Sequence, residues 1–160
     1  MTAWVGFFQV QAGASASLLG LVFVGLSVSF AKIIESPHLP NRALEALVVL
    51  GLNLIVAMVL LIPGLTVPQL GGTILVLVLL VWLGVSVLHV ASIRCVEIEH
   101  RHHAITSAII GQIVLALWIA GAVLVLIRGT VGLYVLAPAL MLGYVLALFH
   151  AWVLLVEINR

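Results

Sequence analysis

The chain has 160 residues, of which 65% are hydrophobic and 7% charged, and its formal net charge is +1. Soluble domains carry about 25% charged residues, so the composition excludes a water-covered surface and points to lipid as the solvent. The near-neutral charge gives no footing for nucleic-acid binding. The single cysteine, Cys95, leaves no internal disulfide and no cysteine-based metal framework.

A bilayer core asks for about 20 apolar residues per helix. Five stretches meet that length: 12–31, 43–62, 72–91, 104–127 and 132–156. They predict an all-α, single-domain membrane bundle over residues 1–160. No cleavable leader is expected, because the N-terminus lacks a basic segment and its apolar run is too long. That first run extends from Trp4 to Ile34. At 1.5 Å per residue it spans roughly 46 Å, so it must tilt, protrude or break.

Turn-forming residues separate the stretches. The segment from Ser36 to Asn41, with Pro37 and Pro40, ends the first. Pro63-Gly64 ends the second, Gly71-Gly72 precedes the third, and Arg128-Gly129 divides the fourth from the fifth. Pro138 falls inside the fifth, where a kink is expected. With five crossings, Lys32, Arg42, Arg94, Arg101 and Arg160 share one side and Arg128 stands alone on the other. Lys and Arg mark the cytoplasmic side, which puts the N-terminus outside and the C-terminus in the cytoplasm. Trp4, Phe7, Phe8 and Tyr134 then lie near the outer boundary and Trp152 near the inner one, depths that aromatic rings favour. Trp82 and Trp118 fall nearer mid-membrane, where packing is their simplest use.

Small residues recur at helical spacing. The first stretch carries Gly13, Ser17 and Gly20, and the last carries Gly143, Ala147 and Ala151. In lipid such positions let helix backbones approach closely. Packing inside one protomer is the expected use of most of them; an oligomer interface or a pore lining is the sharper alternative.

Glu99, His100 and His103, in the Glu- and His-rich link before the fourth stretch, have side chains that suit a divalent metal. The spacing matches no standard site, and an interfacial polar cap is the preferred reading. Within the apolar stretches, Glu45, Asn53, His89 and His150 form a candidate polar layer in the inner third of the membrane. Glu45 lies at the cytoplasmic edge and Asn53 about 12 Å above it; Ser27 and Ser29 belong at a similar depth. Ionisable groups there are costly and face the bundle interior or water. Hydrogen bonding across helices is the commonest role. A proton relay with Glu45 or Glu157 is a second, and a haem held by His89 and His150 a third, with no motif requiring it. No cofactor is therefore expected. The chain has no aspartate, no phosphate-binding glycine loop and no metalloprotease or nucleophile-elbow motif, so an enzyme is not expected.

The segments AGASASLLGLVFVGLSVSF, LPNRALEAL and GLYVLAPALMLGYVLALFHAWVLLVEINR resemble a family of small bacterial membrane proteins, many labelled "modulator of FtsH protease". The resemblance covers about half the chain. It implies a bacterial cytoplasmic membrane and association with a membrane-anchored AAA protease, and it carries over no functional residue. The expectation is a non-enzymatic polytopic protein that assembles with itself or with another membrane protein. A homo-oligomeric channel lined by the first helix is the alternative.

Overall fold

The computed structural model describes residues 2–35, 39–95 and 101–158. Among them are six α-helices: α1 Thr2–Val28, α2 Phe30–Glu35, α3 Leu39–Leu60, α4 Val67–Cys95, α5 Arg101–Arg128 and α6 Leu133–Ile158. No strand occurs among the described residues. Four helical stretches are long and apolar enough to cross a membrane, namely Thr2–Val28, Leu39–Leu60, Val67–Ala91 and the 50-residue run Ile105–Leu154. The last folds back on itself at a 3-10 turn, Gly129–Gly132, so that α5 and α6 pack as a hairpin.

Helices α3, α4, α5 and α6 close a ring in which each runs antiparallel to the next. Helix α1 lies outside the ring against α3, and reaches α6 through Tyr144 and Tyr134. Burial follows this plan: 61% of the most apolar window of α3 is buried, against 11% for α1. The two ends of the bundle are named here for residues they hold, the Thr66 end and the Arg42 end.

Several boundaries differ from the sequence reading. The first helix begins at Thr2 rather than near residue 12, and it breaks at Ser29 instead of continuing to 31. The surplus length is used in α2, whose Ile33 is buried with Leu39, Ala43 and Leu154. Gly71-Gly72 does not precede the third long helix but lies inside it. The start is marked by one half of a capping box: Gln69 Oε1 reaches back and accepts from both the backbone N–H and the hydroxyl of Thr66, each at 2.9 Å. Pro68 is tolerated in that first turn, where no N–H is needed. Gly71 then serves packing, since a Cβ there would stand 2.6 Å from the Leu126 backbone nitrogen of α5. Gly64 at φ +83° and Gly129 at φ +68° make the two tight links at the Thr66 end, in a conformation that side chains disfavour.

The large buried side chains, among them Trp118, Phe8, Leu50, Ile74 and Leu140, fill the space inside the ring and under α1. In a bilayer the lipid tails are as apolar as these side chains, so close packing and buried hydrogen bonds decide which faces meet.

Candidate functional site

Counting residues from the Arg42 end shows why four helices bring polar groups to one depth. Glu45 is six residues into α3 and Ser107 six into α5; His89 is six residues from the end of α4, and His150 eight from the end of α6. At 1.5 Å per residue all lie roughly 9–12 Å from that end. Inside the ring they converge. Glu45, His89 and His150 are 5%, 7% and 1% exposed.

The Glu45 carboxylate joins the two imidazoles. His89 Nε2 donates to Glu45 Oε1 at 2.9 Å, and His150 Nδ1 stands 3.6 Å from Glu45 Oε2. The facing ring nitrogens therefore look onto a carboxylate. Behind His89 lies a directed chain. The Trp82 indole N–H, which can only donate, bonds Gln112 Oε1 at 2.6 Å. This fixes the amide, so Gln112 Nε2 donates to Ser86 Oγ at 3.0 Å and to His89 Nδ1 at 3.2 Å. The Ser86 hydroxyl in turn donates to the Trp82 carbonyl at 2.6 Å. On the other side, His150 Nε2 is 3.3 Å from Ser107 Oγ.

Space for the cluster comes from Gly111 on α5. A Cβ there would stand 2.9 Å from Glu45 Oε1 and 3.0 Å from His89 Cε1. Gln112 is one of the few polar residues within the apolar stretches, but the expected layer includes neither it nor Gly111, Ser86 or Ser107. The available signal is their spacing: Gln112 lies five residues beyond Ser107 and Ser86 three before His89, which keeps both within about one and a half turns of the cluster's depth.

A second polar layer sits nearer the Thr66 end. The Gln11 side-chain N–H donates to Asn53 Oδ1 at 3.4 Å. Ser15 donates to the Gln11 carbonyl at 2.8 Å, and the Tyr144 hydroxyl lies 2.7 Å from both that carbonyl and Ser15 Oγ. These contacts pin α1 into the groove between α3 and α6. Asn53 Nδ2 is buried without a hydrogen-bond partner, against Gly143 and beside the Trp118 ring.

All four residues of the expected polar layer are thus buried, but they divide: Glu45, His89 and His150 meet one another, while Asn53 meets Gln11. Ser27 is not part of the layer. It is exposed, and its hydroxyl turns back to the Phe23 carbonyl at 2.8 Å. Trp82 does more than pack, as described, and the buried Trp118 donates to the Ala139 carbonyl at 2.6 Å.

The two small-residue faces also part company. Gly143 and Ala147 are buried and Ala151 half-buried, inside the protomer as expected. Gly13, Ser17 and Gly20 are exposed, and a Cβ at Gly13 or Gly20 would meet nothing within 4 Å. The expected packing inside one protomer does not hold for α1, because its inward face is taken by Phe8, Gln11 and Ser15. Of the expected metal candidates, Glu99 and His100 lie outside the described residues and His103 is in the first turn of α5. Among the described residues, no group of three metal-type side chains is arranged to hold an ion.

No protein family, curated protein or solved structure matches the chain.

Proposed function

We propose that the protein is a non-enzymatic membrane protein that works by docking the outward face of α1 against a second membrane protein. The single observation that supports this is the run Gly6, Gly13, Ser17 and Gly20 along α1, exposed throughout and without a neighbour at any of its three glycines. Such a surface gains little from lipid tails and much from another helix at close range. In this reading α5 and α6 each cross the bilayer, giving five crossings with the N-terminus outside and the C-terminus in the cytoplasm. The five-to-one distribution of Lys and Arg supports that orientation. The proposed location is a bacterial cytoplasmic membrane, and the occupant is a second copy or, following the family resemblance, a membrane-anchored protease.

The exposed polar residues Gln9, Ser17 and Ser27 lie on the same side of α1. They favour a second reading, in which several α1 helices line a pore between copies. Disulfide trapping tests both. In a Cys95→Ser background, Ser17→Cys is oxidised in native membranes beside a control, Val87→Cys, at an exposed position on α4. The proposal expects a cross-linked product from Ser17→Cys and none from the control. A dimer or higher ring that also conducts ions supports the pore; a product without conductance supports docking. Equal, concentration-dependent cross-linking at both positions would overturn the two readings together.

A further inference from the structure

The two histidines that face Glu45 are held in different ways, and the difference is set by which of their partners can reverse a hydrogen bond. On the Nδ1 side of His89 none can. The Trp82 N–H fixes Gln112 Oε1 as acceptor, so the Gln112 amide nitrogen is a donor, and His89 Nδ1 must accept from it. Ser86 cannot relieve this, since its proton is committed to the Trp82 carbonyl. His89 is therefore neutral, with its proton on Nε2 and directed at Glu45 Oε1. A second proton on Nδ1 would set one N–H against another in a buried site.

His150 has partners of the opposite kind. At Nε2 it meets Ser107 Oγ, a hydroxyl that can donate or accept. At Nδ1 it meets Glu45 Oε2, an oxygen that accepts when ionised and donates when protonated. Nδ1 is buried and makes no hydrogen bond at its present 3.6 Å separation, which leaves room for the pair to close.

We propose that Glu45 and His150 form a membrane-buried proton-binding site, with His89 as a fixed neutral donor that holds the carboxylate in place. One proton taken up from the aqueous phase converts the carboxylate and neutral imidazole to a carboxylate–imidazolium pair. No other co-reactant is needed. In that pair both ring nitrogens donate, to Glu45 Oε2 and Ser107 Oγ, and the serine proton turns to the helix backbone. No bond of the Trp82–Gln112–His89 chain changes. The described charged or titratable groups acting on His150 are Glu45 and Arg42 from α3 and His89 from α4. From α5 the cluster receives the neutral Ser107 and the gap at Gly111.

The test reads ring-nitrogen chemical shifts of ¹⁵N-histidine-labelled protein in bilayers against pH. A background in which His38, His100, His102 and His103 are replaced by Gln leaves only the two buried rings. Ser107→Ala, which disturbs the His150 partner alone, assigns the signals. The expected result is one ring that titrates with a single proton, assigned to His150, and one that keeps a bare Nδ1 and a protonated Nε2 throughout, assigned to His89. Glu45→Gln should move the His150 midpoint by at least about one pH unit, a tenfold change in proton affinity. Titration of His89, an invariant His150, or a midpoint unmoved by Glu45→Gln would each overturn the proposal.

Discussion

On α6, Gly143 is buried so tightly that a methyl group in its place would stand 2.6 Å from the Trp118 ring and 2.8 Å from Asn53 Nδ2. On α1, Gly13 and Gly20 have the same kind of small-residue neighbours in sequence, yet a methyl group at either would touch nothing within 4 Å. Helix α6 is wedged between α3 and α5, and its small residues are what admit the Trp118 indole and the Asn53 amide. Helix α1 presents a different side inward, where Phe8, Gln11 and Ser15 supply bulk and hydrogen bonds. Small residues in a lipid-embedded helix thus mark a surface made for close approach, but not whether the approaching surface belongs to the same chain.

Substitutions sharpen the contrast. The largest effect is expected at Gly143→Leu, which has to displace both Trp118 and Asn53. Overpacking of this kind costs about 3 kcal/mol or more, and thermal unfolding in detergent should show a protein that barely folds or does not fold. Glu45→Ala comes next, because it strands the His89 Nε2–H and leaves a gap at His150; about 1–3 kcal/mol of stability should be lost. Gly111→Ala should cost about 1–2 kcal/mol by crowding Glu45 Oε1 and His89 Cε1. Tyr144→Phe removes one hydroxyl from the α1–α6 contact and should cost less, about 0.6 kcal/mol, the usual size of a hydrogen bond between membrane helices. A Gly111→Ala protein as stable as wild type would show that the cluster is looser than its distances imply.

How far the sequence could be read depended on which direction was at stake. Along the membrane normal, residue counting is enough: the depths of Glu45, His89 and His150 agree because helices rise by a constant amount per residue. The surplus length of the first helix is legible for the same reason, and the helix stop before Pro63-Gly64 because proline lacks the N–H that a helix needs. The Thr66-x-x-Gln69 spacing of the helix start is also written in the sequence, close to the more conspicuous Gly71-Gly72. Laterally the sequence is nearly silent. These helices are apolar on every side, so hydrophobic periodicity does not say which face turns inward. That is why Gly13 and Gly143 look alike in sequence, why Ser27 shares a depth with a layer it does not join, and why sequence alone does not tie Gly111 and Gln112 to the Glu45 cluster. Their roles depend on rotation about a helix axis, which is settled by packing against neighbours.

The central claim is that the α1 face is reserved for a partner outside the protomer while the α6 face is spent within it. The most direct measurement replaces Gly13 and Gly20 together by Ile and reads two quantities from one membrane preparation: thermal stability of the protomer, and the native complex by size after mild solubilisation. The account predicts a protomer within about 0.5 kcal/mol of wild type, as for surface changes that touch nothing, and a complex that is lost. A destabilised protomer, or a complex that survives intact with both isoleucines in place, would contradict it.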